Sequence, residues 1–534
     1  MSDAVASPSI SAFLALNRLG FGARPGEAEA FARRGFTLWL DEQLKPPLSD
    51  DPETSQALAD ARLRIKYAAG DPAKNQNWEA TDEMRPLATL TQPIDALWPT
   101  IAERDKHDGA ERRRPLLEII SATLIRAVHS HYPLREVMSN FWHDHFNVDA
   151  WGSEQVAVAL PTYDRDVIRP NCFGNFRNLL ESVATSTAML YYLSNHSSRA
   201  GSANENYGRE LFELHTLGRQ AYLNDKYDRW RDVPGALQGH PTGYIDEDVY
   251  ESARSFTGWT VADGAAIDGG RKLPQTGRFA YVESWHDGYQ KRVLAADFTE
   301  FQPAMADGKR VLDLVASHPA TARFICTKLV RRLVAEDPPT TLTEAAARIW
   351  RDNLHAPDQI AKVVRMIVQS PDFARSRGTK ARRPMALVAA FARASGLDLM
   401  PTEALINTIS AAGQRLYGYP DPTGLPDDKA HFLGTNDMRV RWQLMLGLAQ
   451  NTWGTGVFHP AMVMDKLATN VRDATAFWLA EFTGSANPQE IAGIVEGMGL
   501  APDVSIGPVS TYDTEKRLAL IAAYAAMSPT FQSC

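Results

Sequence analysis

Apolar side chains recur at helical spacing along most of this 534-residue chain, and the places where they stop define its elements. From Ser11 to Leu44 the pattern gives two helical pieces parted by Gly20, Gly22, Pro25 and Gly26, an N-terminal helical hairpin over residues 1–48. Residues 49–115 are polar, with weak recurrence at Leu87, Leu90 and Leu97, and read as a variable helical or loop region. The signal sharpens in LLEIISATLIRAVHS and PLREVMSNFWHDHF, two helices parted by His131-Tyr132-Pro133. Pro133 suits the first helical turn, where its missing N–H has no acceptor to lose. A run from Phe176 to Leu193 follows, then NYGRELFELHTLG, with Gly218 placed to end that helix as a left-handed residue, then the acidic-start helix DEDVYESARSFTGW.

Residues 258–300 break the pattern with scattered glycines and alternating pieces such as RFAYVES, which predict a small β-hairpin or a long functional loop. Helical spacing returns at 308–317, 319–335, 341–354 and 358–369, completing a central helical domain over 116–380. It continues at 383–395, 402–417, 437–450, 472–483, 488–498 and 512–527, a C-terminal helical region, 381–534, expected to pack on the central one. The predicted fold class is therefore mainly α, a large multi-helix domain with a loop-rich or small β insert near residues 258–300. One internal echo stands out: IVQSPDF (367–373) and AAMSPTF (525–531) both close a helix with Ser-Pro-x-Phe, although two copies do not make a solenoid.

Composition narrows the class. With 44% hydrophobic residues, 22% charged residues and 12 tryptophans the chain reads as a soluble globular protein of enzyme size. Its 56 basic against 64 acidic residues leave a formal charge of −8 and no global footprint for nucleic acid or an anionic membrane. The short run Glu111-Arg112-Arg113-Arg114 reads as a solvated helix face. Cys172, Cys326 and Cys534 have neither metal-site nor disulfide-framework spacing. No stretch approaches the ~20 apolar residues of a membrane span, and the N-terminus lacks the basic and apolar regions of an export signal. As given the chain is expected to be cytoplasmic, while removal of such a signal from a periplasmic or secreted protein would leave the same sequence. The patterns GxxxxGK[ST], GxGxxG and GxSxG are absent, which removes P-loop, Rossmann and α/β-hydrolase readings.

The candidate chemistry lies in two helices. On the helix from Leu134 to Phe146, which leads into FWHDHFNVD (141–149), Leu134, Val137, Met138, Phe141, Trp142 and His145 share one stripe, so His145 points with the core. His143 is two positions earlier, about 200° around the helix, and the two imidazoles cannot grip one ion within it. In NENYGRELFELH, Tyr207, Leu211, Leu214 and His215 share a stripe, Arg209 and Glu213 are an i, i+4 ion-pair candidate, and Glu210 lies at the stripe's edge beside Asn206. Two inward histidines on separate helices with a glutamate nearby are the minimum of a His/carboxylate metal site in a helix bundle, suited to Zn, Fe, Mn or Cu. The competing reading is a core imidazole bonded to a carbonyl, with Asn204 or Asn206 a helix cap.

Further residues could join such a site. Asp246, Glu247 and Asp248 open a helix, where the helix dipole alone favours carboxylates. Arg254 and Trp259 follow within a few turns. His286, in the turn His286-Asp287-Gly288, is the loop candidate for a third ligand or a general acid/base, whereas His318 before Pro319 reads as a helix cap.

The segments LNRLGFGARPGE, FWHDHF, AMLYYLSN, NENYGRELFELHTLG, YIDEDVYESARSFTGW, WHDGYQKRVL, HPATARFICTKLVRRLV and SPDF together resemble the bacterial domain of unknown function 1800 family, over most of the chain and in the family's order. The resemblance implies no assigned activity. It implies export for many members and a sulfatase-like partner protein, and this chain departs from it in showing no export signal.

Three functions follow as expectations. The first is a metal-dependent hydrolase or oxidoreductase, with His143 or His145, His215 and Glu210 or Glu213 holding a divalent or redox-active ion and His286 or Asp248 serving the substrate. The second is a metal-free polysaccharide-active enzyme of helical-toroid type, using Tyr207, Asn206, Arg209 and His145. The third is a non-catalytic scaffold or partner-binding protein whose polar motifs are buried hydrogen-bond networks.

Overall fold

Apolar stripes and caps coincide at nearly every predicted helix in the computed structural model, which describes residues 10–464, 468–506 and 512–534. About 57% of the chain is helical, and the strands form only two-stranded sheets. Among the described residues no helix is long and apolar enough to cross a membrane. One continuous apolar core runs from Leu14 to Phe531.

Two helices matter most for the site. Helix α1 (Pro133–His145) opens on Pro133 and buries Leu134, Val137, Met138, Phe141, Trp142 and His145, the stripe expected from sequence. It also buries Arg135, Glu136, Ser139 and His143, so both of its sides meet protein. Helix α2 (Pro319–Leu333) is capped by His318, whose Nδ1 accepts from the Ala320 N–H at 3.0 Å. Its buried stripe is Ala322, Ile325, Cys326, Leu329, Val330 and Leu333. Phe324, Lys328 and Arg331, at i, i+4 and i+7, therefore lie together on another face.

The insert is a pair of hairpins, as the alternation suggested: Trp259–Asp263 with Gln275–Tyr281, and Lys291–Val293 with Ala296–Phe298. The two Ser-Pro-x-Phe segments repeat one construction, with Ser370 Oγ accepting from Phe373 N at 3.1 Å and Ser528 Oγ from Phe531 N at 3.3 Å.

Several expectations need correction. The region 49–115 contains an antiparallel hairpin, Arg62–Tyr67 with Thr81–Pro86, in which Leu63 and Ile65 turn inward. Its period of two in Arg-Leu-Arg-Ile-Lys is short and flanked by charge, which hides it. The N-terminal hairpin is three helices, Ala12–Arg18, Glu27–Arg34 and Phe36–Gln43. The run Phe176–Leu193 divides where Ser186 caps a second helix, Thr187–Tyr192, and the helix expected at 402–417 ends at Ala411. Of the run Glu111-Arg112-Arg113-Arg114, only Arg113 is exposed. Arg114 is buried against Glu118 at 2.6 Å, and Arg112 pairs with Glu154 at 2.9 Å.

NYGRELFELHTLG starts as an α-helix, Glu205–Glu210, and widens into a π turn, Leu211–His215. Gly218 has positive φ (85°) but extended ψ (155°), so it is not the left-handed helical residue expected. A Cβ there would come within 2.6 Å of the Phe324 ring, so the glycine lets that ring close against the chain.

Candidate functional site

His145 ends α1 with both ring nitrogens engaged. Its Nε2 lies 3.1 Å from the backbone carbonyl of His215, so that nitrogen carries the proton and donates. The other nitrogen, Nδ1, then holds a lone pair and accepts from Nζ of Lys328 at 3.0 Å. Burial, followed by the nearby charge of Lys328, holds the imidazole well below the ordinary histidine range and neutral. The Phe141 ring stacks parallel to His145, 6.2 Å between centroids, and fixes its plane.

Lys328 is half-buried, and among the described residues no carboxylate comes within ion-pair distance of it. Burial pushes its pKa down to about 8, only partly opposed by Asp144 and Asp427. The Phe324 ring centroid lies 5.6 Å from Nζ. The amine opens on a cleft of about 500 Å³ between the end of α1, α2 and the loop Thr423–Asp428. Arg331 lines the same cleft; its Nε donates to the Glu336 carbonyl at 3.0 Å and it has no carboxylate partner among the described residues.

A charge network forms one wall. Asp144 accepts from Arg383 and from Arg332 at 3.3 Å, while Asp427 faces Lys380 at 3.3 Å, Arg383 at 3.4 Å and Arg332 at 3.6 Å. Against burial, which would raise it, these three cations hold the Asp427 carboxyl far below the usual range. Gly424 brings the loop onto α1, since it has φ +77° and a Cβ there would overlap the Asp144 carbonyl.

His143 points away from this cleft. Its Nε2 lies 2.9 Å from Asp164, which Arg126 also holds at 3.2 Å, and its ring meets Tyr163 and Tyr417 edge-on. His215 has its ring 6.4 Å from that of His145, yet its backbone carbonyl makes the contact. Glu210 is half-buried, and burial with Glu213 and Asp421 nearby raises its pKa to about 7. Glu213 pairs with Arg219 at 2.7 Å, not with Arg209 as expected, because the π turn shifts the register between them. Arg209 holds Glu205 at 2.6 Å and Asp246 at 3.3 Å.

The remaining candidates make contacts within their own neighbourhoods. Asn206 is exposed, and the cap is Asn204, which accepts from Tyr207 N at 3.3 Å. Tyr207 is buried against Phe256. Asp248 accepts from Ile245 N at 3.0 Å and Leu294 N at 2.6 Å, joining its helix (Asp246–Ser255) to the insert, and burial raises its pKa to about 7. His286 lies 2.9 Å from the Thr257 carbonyl and 3.3 Å from Asp307, which Lys291 also holds at 2.7 Å. Arg254 pairs with Asp287 at 2.8 Å, and Trp259 is fully buried. Among the described residues no three His, Cys, Asp or Glu side chains gather in metal-binding geometry.

Sequence reasoning overlooked Lys328, Arg331, Arg332, Arg383 and Asp427. The signal available was the second stripe of α2, where Phe324, Lys328 and Arg331 fall one or two turns apart.

A mainly helical protein whose FWHDHF helix meets a cleft lined by both cations and carboxylates is the class these features define. The chain belongs to the family of proteins of unknown function DUF1800, whose family model matches residues 14–533. No curated protein and no solved structure matches it.

Proposed function

We propose that this protein is an enzyme acting on an anionic small molecule in the cleft at the end of α1, with the amine of Lys328 as its reactive group. The observation that carries the reading is the 3.0 Å contact between Lys328 Nζ and a neutral, acceptor-only His145 Nδ1 at the wall of an open cavity. An ammonium kept from carboxylates and partly desolvated gives up its proton near neutral pH, which suits acid/base or nucleophilic work. Arg331 supplies a guanidinium free to take a carboxylate or phosphate. The metal-dependent reading has less support, since both nitrogens of His145 are already bonded.

The test is turnover of a panel of small carboxylates and phosphate esters by the wild-type chain and by Lys328→Met, followed by product analysis. Conversion lost in the variant, with its fold retained, is the expected result. Conversion that survives the substitution, or no panel anion bound in calorimetry, overturns the reading.

A scaffold role is the second reading, favoured by the buried His143–Asp164–Arg126 set, whose contacts are all internal to the protein. It predicts that His143→Phe lowers stability and leaves anion binding in the cleft unchanged.

A further inference from the structure

The shape of the Lys328 environment restricts the substrate beyond its charge, on the reading that Lys328 is the reactive amine. His145 Nδ1 is fixed as an acceptor by the bond from its Nε2 to the His215 carbonyl, so it takes one N–H of the lysine. Once Lys328 loses its extra proton, the lone pair of the amine cannot point at His145, because an N–H is already there. Phe141 and Phe324 flank the pair and carry no group able to donate to that lone pair. A neutral amine in this setting is suited to attack carbon.

Arg331 sits one turn along the same helix, roughly 5–6 Å away between Cβ atoms. Its guanidinium has no carboxylate partner among the described residues and lines the same cavity. Of the carboxylates that line the cleft, Asp144 and Asp427 are already held by Arg332, Arg383 and Lys380, and Glu336, Asp337 and Asp428 line it as well. The cleft thus sets an amine one helical turn from a guanidinium that pairs with no carboxylate among the described residues, a combination that suits a molecule carrying a carbonyl next to a carboxylate.

We infer that the cleft takes a 2-oxo acid, whose carbonyl carbon Lys328 captures as an iminium while Arg331 binds its carboxylate. The amine nitrogen bonds to the carbonyl carbon and gives a proton to its oxygen. The resulting carbinolamine loses that oxygen as water after taking one proton from solvent, leaving a carbon–nitrogen double bond with one positive charge. The iminium draws electrons from the neighbouring carbon, the effect that drives decarboxylation, dehydration and aldol cleavage of oxo acids.

The full chain is incubated with pyruvate or glyoxylate, sodium cyanoborohydride is added, and peptides are mapped by mass. The expected result is a single fast adduct at Lys328, heavier by one pyruvic acid less one oxygen atom, at least tenfold faster than at any other lysine and slowed at least tenfold in Arg331→Ala. Adduct formation at Lys328 no faster than at exposed lysines overturns the inference. Limiting acetic anhydride on the same preparation separates the two levels: Lys328 acetylated ahead of other lysines without an oxo-acid adduct rejects the oxo acid and keeps the reactive amine, and failure of both rejects both.

Discussion

Nδ1 of His145 accepts from Nζ of Lys328 at 3.0 Å, and this contact joins the two most characteristic helical segments of the chain, FWHDHF and TARFICTKLVRR. Both ring nitrogens of the histidine are engaged. It orients the lysine, and the lysine faces the cleft.

Replacing His145 by Phe keeps the ring and its stacking on Phe141 but removes both hydrogen bonds. The His215 carbonyl and the Lys328 amine are then left without that partner, and a loss of about 1–3 kcal/mol in urea unfolding is expected. A stability within error of wild type would show that neither bond contributes.

Asp164 holds His143 and Arg126 in a buried set, and its carboxyl is kept well below the usual range despite burial. A depressed folded value means that the unfolded chain binds the proton more readily, so the stability due to Asp164 is present above about pH 4 and lost as pH falls below it. Asp164→Asn is expected to cost about 1–3 kcal/mol at pH 7, by removing the carboxylate from His143 and leaving Arg126 with Asp50 alone at 3.0 Å. Its unfolding free energy should also depend less on pH below 4, a comparison made by denaturant titration across that range.

Glu210 runs the other way. Its folded value, about 7, lies above the unfolded value of about 4.3, so its contribution is full at low pH and falls away as pH rises through 7. Glu210→Gln should therefore raise the thermal midpoint relative to wild type at pH 8 and leave it nearly unchanged at pH 5. The opposite order in a thermal melt would mean that Glu210 is held as a carboxylate.

Gly424 closes the cleft loop onto α1. Gly424→Ala must adopt a left-handed backbone, at about 1–2 kcal/mol, and also displace the loop from Asp144. The variant should lose stability and bind cleft anions at least tenfold more weakly by calorimetry; unchanged anion binding would place the ligand elsewhere.

Much of the architecture was legible from the chain. The long helices and the insert announce themselves through periodicity, and His318 and Pro319 mark the start of α2 as caps should. The hairpin at Arg62–Pro86 was hidden because its inward residues, Leu63 and Ile65, are only two among charged neighbours. His145 lies on the core side of α1 as the periodicity predicts, but its partners were not legible. A helical pattern reports which way a side chain points and says nothing of a carbonyl 70 residues away or a lysine 183 residues away. In the sequence Lys328 is one of 56 basic residues, and only its partners in space distinguish it.

The most direct test is the rate of acetylation of Lys328 as a function of pH, read by peptide mass mapping under limiting reagent. The amine should reach half its maximal rate at about pH 8, well below exposed lysines in the same chain. A midpoint near the ordinary lysine value of about 10.4, in protein whose fold is intact, would contradict the account.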